Sequence, residues 1–265
     1  MNQNDREIKT IMHEVKRRTL TVKNIQNVTS RIKRVTLTGE ELSDFTSLSP
    51  DDHIKVFFPY PGETEPVLPV MGPNGLTVPE GSRKPIMRDY TPRRFDKDAK
   101  ELDIEFVLHG EGPGSQWAAQ VQVGQNLTIG GPRGSRVVPY NFDWYLMIGD
   151  ESAIPSFARR LKELPADSFS VVIIETEDAS QKIDLECNGK VEIHWIYRNG
   201  RKPGQADEIK NKLASLPIFH GDYFAWIALE KACAMEIRDL LITIRGAREE
   251  WIKATGYWSA GKSEH

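Results

Sequence analysis

The stretch Arg88-Asp89-Tyr90-Thr91-Pro92-Arg93 decides how the chain is to be read. In an extended strand, Arg88 and Tyr90 share one face, while Thr91 turns to the other with its backbone close by. A cation and an aromatic ring side by side suit a flat, anionic ligand. The ring stacks on a planar system and the guanidinium pairs with phosphate. Downstream, Phe106-Val107-Leu108-His109 runs into Gly110-Glu111-Gly112-Pro113-Gly114-Ser115-Gln116-Trp117. This reads as a strand, a glycine-rich turn and a short helix capped by Ser115. The free N–H groups at such a helix start bind phosphate without a basic side chain. Singly, each piece has a plainer reading: a buried tyrosine beside a surface arginine, and an ordinary loop. Their succession is the specific signal.

Around this stretch, residues 20–28, 32–37, 52–58, 102–108 and 127–129 alternate or cluster as strands. Residues 60–85, rich in Pro, Gly and Glu, read as an irregular excursion long enough to cover a ligand. No parallel-sheet helices separate these strands, so the expectation is a small antiparallel β-barrel over 19–139. Residues 1–18 are polar and charged and read as a flexible arm. After a hinge at 139–143 the texture changes. Buried strands at 144–148, 169–174, 191–196 and 223–228 alternate with helices at 206–214 and 230–245, the latter ended by Gly246. The pattern predicts a three-layer α/β domain with a parallel sheet over 140–265.

Composition narrows the function. The 265 residues are 39% apolar and 28% charged with a net charge of −3, which excludes a general nucleic-acid binder. No apolar run is long enough to span a bilayer, and no signal-type apolar core stands at the N-terminus. Cys187 and Cys233 lack metal-ligand or disulfide-framework spacing, which suits a reducing, cytoplasmic compartment. No nucleophile–base pair or metal cluster stands out.

The strand-borne Arg-x-Tyr-Thr followed by a glycine turn into a helix resembles the flavin-binding barrel of the ferredoxin–NADP reductase superfamily. That resemblance implies an NAD(P)-binding-like domain for the α/β half, 140–265. The second half departs from most of that superfamily. Its first turn is Gly149-Asp150-Glu151-Ser152-Ala153-Ile154-Pro155, with two carboxylates where a glycine would let a backbone approach phosphate. The plain reading makes Asp150 and Glu151 helix-start charges. The turn is also similar to that of the siderophore-interacting family of FAD-dependent ferric-siderophore reductases. So are Asp51-Asp52-His53-Ile54-Lys55-Val56-Phe57-Phe58-Pro59, Gly131-Pro132-Arg133-Gly134-Ser135 and the terminal Tyr257-Trp258.

The resemblance implies that FAD passes electrons to the iron(III) of an anionic siderophore, releasing iron(II). It implies Arg88 on the pyrophosphate, with Asp89 beside it, Tyr90 stacked on the ring and Thr91 near its reactive nitrogen. Val107, His109, Gly112, Gly114, Ser115 and Trp117 follow as backbone or phosphate contacts. Asp150, Glu151 and Ser152 are expected near the flavin edge, and Trp258 over the other ring face. Lys55, Arg133 and Lys253 are the expected substrate cations, with Arg248 and Lys262 as further neighbours. No residue is expected to act as acid, base or nucleophile, and no protein metal site is implied. NADH, NADPH or a reduced ferredoxin remain open as donor; Arg198, Arg201 and Lys202 are candidates to meet a 2′-phosphate or an acidic protein. The expected protein is a monomer without membrane or nucleic-acid partners. Two other readings stand beside this one: a flavin-linked reductase of another acceptor, whose site would lack converging cations, and a non-enzymatic iron-chelate binding or sensing protein.

Overall fold

The computed structural model describes residues 6–72, 75–110, 112–217 and 219–261. It divides into two compact units. The first spans Ile8–Val138; the second begins at Pro139 and takes in Arg6 and Glu7. The first contains β1 (Lys9–Met12), β2 (Arg17–Asn27), β3 (Ile32–Thr38), β4 (Ile54–Phe58), β5 (Val70–Gly72) and β6 (Gly75–Thr77). It continues with β7 (Ile86–Tyr90), β8 (Arg94–Asp96), β9 (Glu101–Val107), α1 (Pro113–Gln120), β10 (Asn126–Gly130) and β11 (Gly134–Val137). Seven of these strands form one antiparallel sheet in the order β7-β4-β10-β2-β3-β9-β8.

Alternation sets the inner face of this sheet: Leu20 and Val22 of β2, Val35 and Leu37 of β3, Ile54, Val56 and Phe58 of β4, and Leu102, Ile104 and Phe106 of β9 share one core. The sheet curls strongly. β7 and β9 stand five strand steps apart, about 24 Å in a flat sheet. Yet the rings of Tyr90 and Phe106 lie 4.5 Å apart, centroid to centroid. The expected barrel is therefore a curled half-barrel, with no ladder joining β7 to β8 among the described residues. The 60–85 excursion carries the small β5–β6 hairpin.

The N-terminal arm is corrected over its described part; residues 1–5 lie outside it. β1 pairs antiparallel with β11, and β2 already begins at Arg17. Arg18 is buried, donating to the carbonyls of Glu41 at 2.7 Å and Gly131 at 3.2 Å and pairing with Asp44 at 2.7 Å. Arg6 pairs with Asp143 and Asp222 in the second unit. The charges that made the segment read as solvated find partners inside the fold.

The second unit consists of β12 (Trp144–Asp150), α2 (Ile154–Glu163), β13 (Phe169–Thr176), β14 (Lys190–Tyr197), α3 (Asp207–Ser215), β15 (Tyr223–Glu230), α4 (Lys231–Arg245) and β16 (Ile252–Trp258). The strands form a parallel sheet ordered β14-β13-β12-β15-β16, and most of its residues are buried, as a sheet covered by helices requires. Gly246 ends α4 in the left-handed conformation at φ 63°. Among the described residues, no helix is long and apolar enough to cross a membrane.

Gly149 is tightly packed at the end of β12. A Cβ there would lie 2.5 Å from Ala153 Cβ, 2.8 Å from Phe157 Cε2 and 3.0 Å from the Ala228 carbonyl oxygen. Gly149→Ala should lower the unfolding free energy by about 1–3 kcal/mol, the cost of overpacking. Urea titration reads this directly, and an unchanged midpoint would mean that the β12 turn yields freely.

Candidate functional site

Tyr90 closes β7 with Ile86 and Arg88 on its own face, as the two-residue period requires. Its ring meets Phe106 at 4.5 Å and Phe58 edge-on at 6.2 Å. Trp117 of α1 completes this aromatic shelf, 6.1 Å from Phe58 and 5.4 Å from Phe106. Burial raises the Tyr90 phenol above its ordinary value, opposed by the Arg88 cation. The tyrosine is only half-buried, so it keeps an outward surface. Gly114 makes its position tenable: a Cβ there would fall 1.9 Å from the Tyr90 hydroxyl oxygen.

The glycine turn differs from expectation at its cap. α1 begins at Pro113 after Gly112, which has φ 92° and supplies no side chain. Ser115 lies inside the helix, and its Oγ accepts from the His109 N–H at 3.1 Å and the Gly110 N–H at 3.2 Å. It therefore pins the turn and does not cap the helix. Pro113 has no N–H, so Gly114 and Ser115 carry the first donors of the helix, and no side chain caps them. Beside them opens a groove of about 540 Å³ lined by Leu108, Gly110, Ser115, Gln116, Ala119 and Gln120. His109 is exposed at the rim and Val107 ends β9, in register with Ile32. An aromatic shelf, a part-exposed Tyr90 and an uncapped helix start beside a groove fit a flavin dinucleotide. Arg88, whose Nη1 donates to the Met87 carbonyl at 2.8 Å, adds a cation on the same strand face.

On the opposite face of β7, Asp89 pairs with Lys55 of β4, Nζ to Oδ2 2.8 Å, both well exposed. Lys55 is also in register with Gly130 of β10, and exposed Arg133 follows three residues later. Register thus brings Lys55 and Arg133 to one end of the first unit. Lys253 belongs to the second. It lies on β16 opposite Trp226 of β15, with Nζ 5.7 Å from the centre of that ring. Burial pulls its ammonium down to about 8. Arg248 stacks on Trp251 at 4.3 Å, and Lys262 lies outside the described residues.

The turn after β12 is taken up internally. Asp150 is buried; its Oδ1 accepts from the Ser152 N–H at 2.9 Å and hydroxyl at 2.5 Å, and its Oδ2 from the Trp258 indole N–H at 2.7 Å. Burial raises its carboxyl above the usual range against these hydrogen bonds. Glu151 is buried against Arg198, which also meets Glu175 at 3.3 Å and Glu177 at 3.6 Å. Arg198, a candidate for an outside phosphate or acidic partner, is thus corrected: it is 5% exposed and holds three carboxylates of its own unit. Arg201 pairs with Glu208 at 2.9 Å, while Lys202 is exposed. Sequence reasoning missed the cluster because parallel register assembles it, setting Asp150 beside Glu175 and Glu175 beside Ile196. It also missed the aromatic support of Tyr90, for which the inward positions of β4 and β9 were the available signal.

A curled antiparallel unit with a flavin cradle, followed by a parallel α/β unit, defines the ferredoxin-reductase class of flavoprotein fold. The ferredoxin reductase of carbazole 1,9a-dioxygenase shares this fold at TM-score 0.65 and 14% identity, over 93% of this chain and 70% of that one. Two family models divide the chain: the siderophore-interacting FAD-binding domain matches residues 21–136 and the siderophore-interacting protein model residues 142–261. The NADPH-dependent ferric-chelate reductase of Escherichia coli is 33% identical over 98% of this chain and all of its own length. The ferric vibriobactin reductase ViuB of Vibrio cholerae is 34% identical over 94% of this chain and 89% of its own. A siderophore utilization protein from T. fusca superposes at TM-score 0.91 with 37% identity, covering 98% of both chains. The chain belongs to the siderophore-interacting protein family, and its first unit is that family's FAD-binding domain.

Replacing Arg198 by Ala would strand buried Glu151 and Glu175. Arg198→Ala should cost about 3–5 kcal/mol of stability, the penalty for removing one partner of a buried pair. Chemical denaturation is the measurement; a loss below about 1 kcal/mol, the size of an exposed pair, would mean that solvent reaches the cluster.

Proposed function

We propose that this chain is a cytoplasmic, monomeric, FAD-dependent ferric-siderophore reductase that draws electrons from NADPH. The observation that carries the reading is the adjacency of β4 and β7. Tyr90, which would support the flavin ring, is in register with Ile54, next to Lys55, so the ring platform and a substrate cation stand on neighbouring strands. The name and near-complete overlap of the Escherichia coli relative support both the chelate and the choice of NADPH. Free Cys187 and Cys233 suit a reducing compartment.

Bound FAD would accept a hydride from the nicotinamide and pass electrons on singly, which is the cofactor's own chemistry. The chain's part is to hold and orient. Arg88 and the N–H groups of Gly114 and Ser115 take the phosphates, Tyr90 supports the ring, and Thr91 hydrogen-bonds near its reactive edge. Asp89 tethers Lys55. Val107, His109, Gly112 and Trp117 shape the cradle, the last through the aromatic shelf. In the second unit, Asp150 orients Trp258 toward a ring-covering role, Ser152 fixes Asp150, and Glu151 fastens the turn. Lys55, Arg133 and Lys253 draw in the anionic chelate despite the negative net charge. Hard oxygen ligands hold iron(III) more tightly than iron(II), so adding one electron loosens the substrate iron. No proton transfer by a side chain is required.

The test is anaerobic. Protein reconstituted with FAD should be yellow and, given a ferric siderophore and a ferrous trap, should turn over with NADPH faster than with NADH or reduced ferredoxin. Failure to bind FAD would return the chain to the chelate-binding reading, and turnover only with reduced ferredoxin would replace the donor.

Lys253 adds a pH signature. Its ammonium sits at about 8 against an ordinary 10.5, so it is charged below that point and neutral above it. Anion binding favours the charged form, and chelate affinity should therefore fall as pH rises past about 8. Lys253→Arg, charged throughout, should flatten the profile. The same depression has the opposite sign for stability: between about 8 and 10.5 only the unfolded chain still holds the proton, so the folded state gains as pH rises. Affinity independent of pH between roughly 7 and 9 for a chelate of fixed charge would remove Lys253 from the substrate site.

A further inference from the structure

Three residues before Lys55, Asp52 is buried at 2% exposure. Its Oδ1 is buried without a hydrogen-bond partner among the described residues, so Oδ2 alone holds the carboxylate. Oδ2 accepts from the hydroxyls of Ser47 at 2.8 Å and Ser135 at 2.7 Å and from the Ser49 N–H at 3.2 Å. Ser135, two residues beyond Arg133, is 1% exposed. Its single proton goes to the carboxylate, which can only accept. Its oxygen therefore receives the Leu48 N–H at 3.1 Å and the His13 Nε2–H at 2.7 Å. His13 also donates its backbone N–H to the Arg133 carbonyl at 2.9 Å. On the other side of the loop, the Gly131 N–H donates to the Lys16 carbonyl at 3.0 Å, and Arg18 donates to the Gly131 carbonyl at 3.2 Å.

We propose that the hydrogen-bonded chain Asp52–Ser135–His13 fixes the placement of Lys55 relative to Arg133, making Ser135 and His13 positioning residues for an anionic ferric chelate. Asp52 leads into β4, Ser135 lies in β11 after the Arg133 loop, and His13 follows β1, so one side-chain relay joins three separate segments. Both cations are exposed on long side chains, and an exposed cation yields binding energy only when its backbone is already held. The N-terminal segment thus acquires a role in substrate selection: it holds the Arg133 loop from outside. This rests on Lys55 and Arg133 meeting the chelate, as proposed above.

The experiment uses the full chain loaded with FAD and two redox-inert probes, the trianionic gallium(III) tris-catecholate and a neutral gallium(III) trihydroxamate, titrated by fluorescence. Ser135→Ala, which removes all three hydrogen bonds of the hydroxyl, and His13→Ala, which removes the side-chain one, should each weaken the trianion at least about fivefold, the scale of one hydrogen bond, while the neutral chelate changes little. Ser135→Thr and His13→Gln, which keep the hydroxyl and the donor, should recover the affinity. The Arg133→Ala/Ser135→Ala double variant should bind the trianion no more weakly than Arg133→Ala alone, because the serine acts through the arginine. If Ser135→Ala misfolds, the His13 pair and its own double variant with Arg133→Ala carry the same comparison. Equal weakening of both probes, or additive losses in the double variant, would overturn the positioning role while leaving the chelate site standing. An Arg133→Ala variant that binds the trianion as wild type does would overturn the chelate assignment itself, and the positioning role with it.

Discussion

The contact between Tyr90 and Phe106 carries more of the site than any residue that would touch the ligand. It exists because the sheet curls until β7 faces β9, and the inner-face side chains of the intervening strands fill the space enclosed. Curl of this degree follows from strand twist once one face is apolar and buried. It places the ring of Tyr90 on Phe58 and Phe106, with Trp117 behind those two rings, and the Tyr90 hydroxyl against Gly114. A glycine at the second position of α1 costs helix propensity. The structure accepts that cost because any side chain there would collide with the tyrosine. The proposed ring platform and the helix start proposed for phosphate are therefore one packed unit, and a change in either is felt by both.

The second unit solves a different problem. Parallel sheets offer the carboxyl ends of their strands as the place for ligands. Here, β12, β13 and the segment after β14 bring Asp150, Glu151, Glu175 and Arg198 to that end, all buried. One guanidinium cannot neutralise so many acids, and burial raises the carboxyls of both Asp150 and Glu175. A dinucleotide phosphate placed at this turn would meet negative charge where most of the class presents backbone N–H groups. A nicotinamide donor must then be held chiefly through contacts other than a phosphate grip at the β12 turn. That makes an electron donor which visits and leaves a better match than one which stays bound.

Much of this was legible in the chain. The two halves, the order antiparallel barrel then α/β, and the Arg88–Tyr90 face follow from periodicity, because the two-residue and helical repeats are strong where one face is buried. Legibility failed where polar groups are satisfied inside. The run His13-Glu14-Val15-Lys16-Arg17-Arg18 reads as solvent-facing by composition, yet Arg18 is buried and His13 is bound to Ser135. Arg198 looked like a loop cation because its three acids come from β13, the segment after it and the turn after β12. Ser115 looked like a cap because serine often is one, but Pro113 starts the helix earlier and turns the hydroxyl back onto the preceding loop. The misses at Arg18, His13 and Arg198 concern contacts between segments far apart in sequence, which local pattern cannot carry; the miss at Ser115 is local, a choice between two nearby sets of N–H donors.

The cations proposed for the substrate differ in kind, and the difference bears on how a chain of net charge −3 could attract an anion. Lys55 is exposed and paired with an exposed Asp89, so water screens its field and the pair itself is worth little. Its use lies in proximity, since its anchoring aspartate sits between Arg88 and Tyr90. Lys253 is the reverse case. Burial against Trp226 makes its charge costly, and an anion that arrives beside it relieves that cost. A desolvated cation of this kind discriminates by charge more sharply than a solvated one, because the uncharged competitor leaves the penalty in place. Selectivity for an anionic chelate would then come mainly from the desolvated lysine, and orientation from the exposed pair Lys55, paired in β4 with Gly130 of β10, and Arg133, in the loop that follows β10.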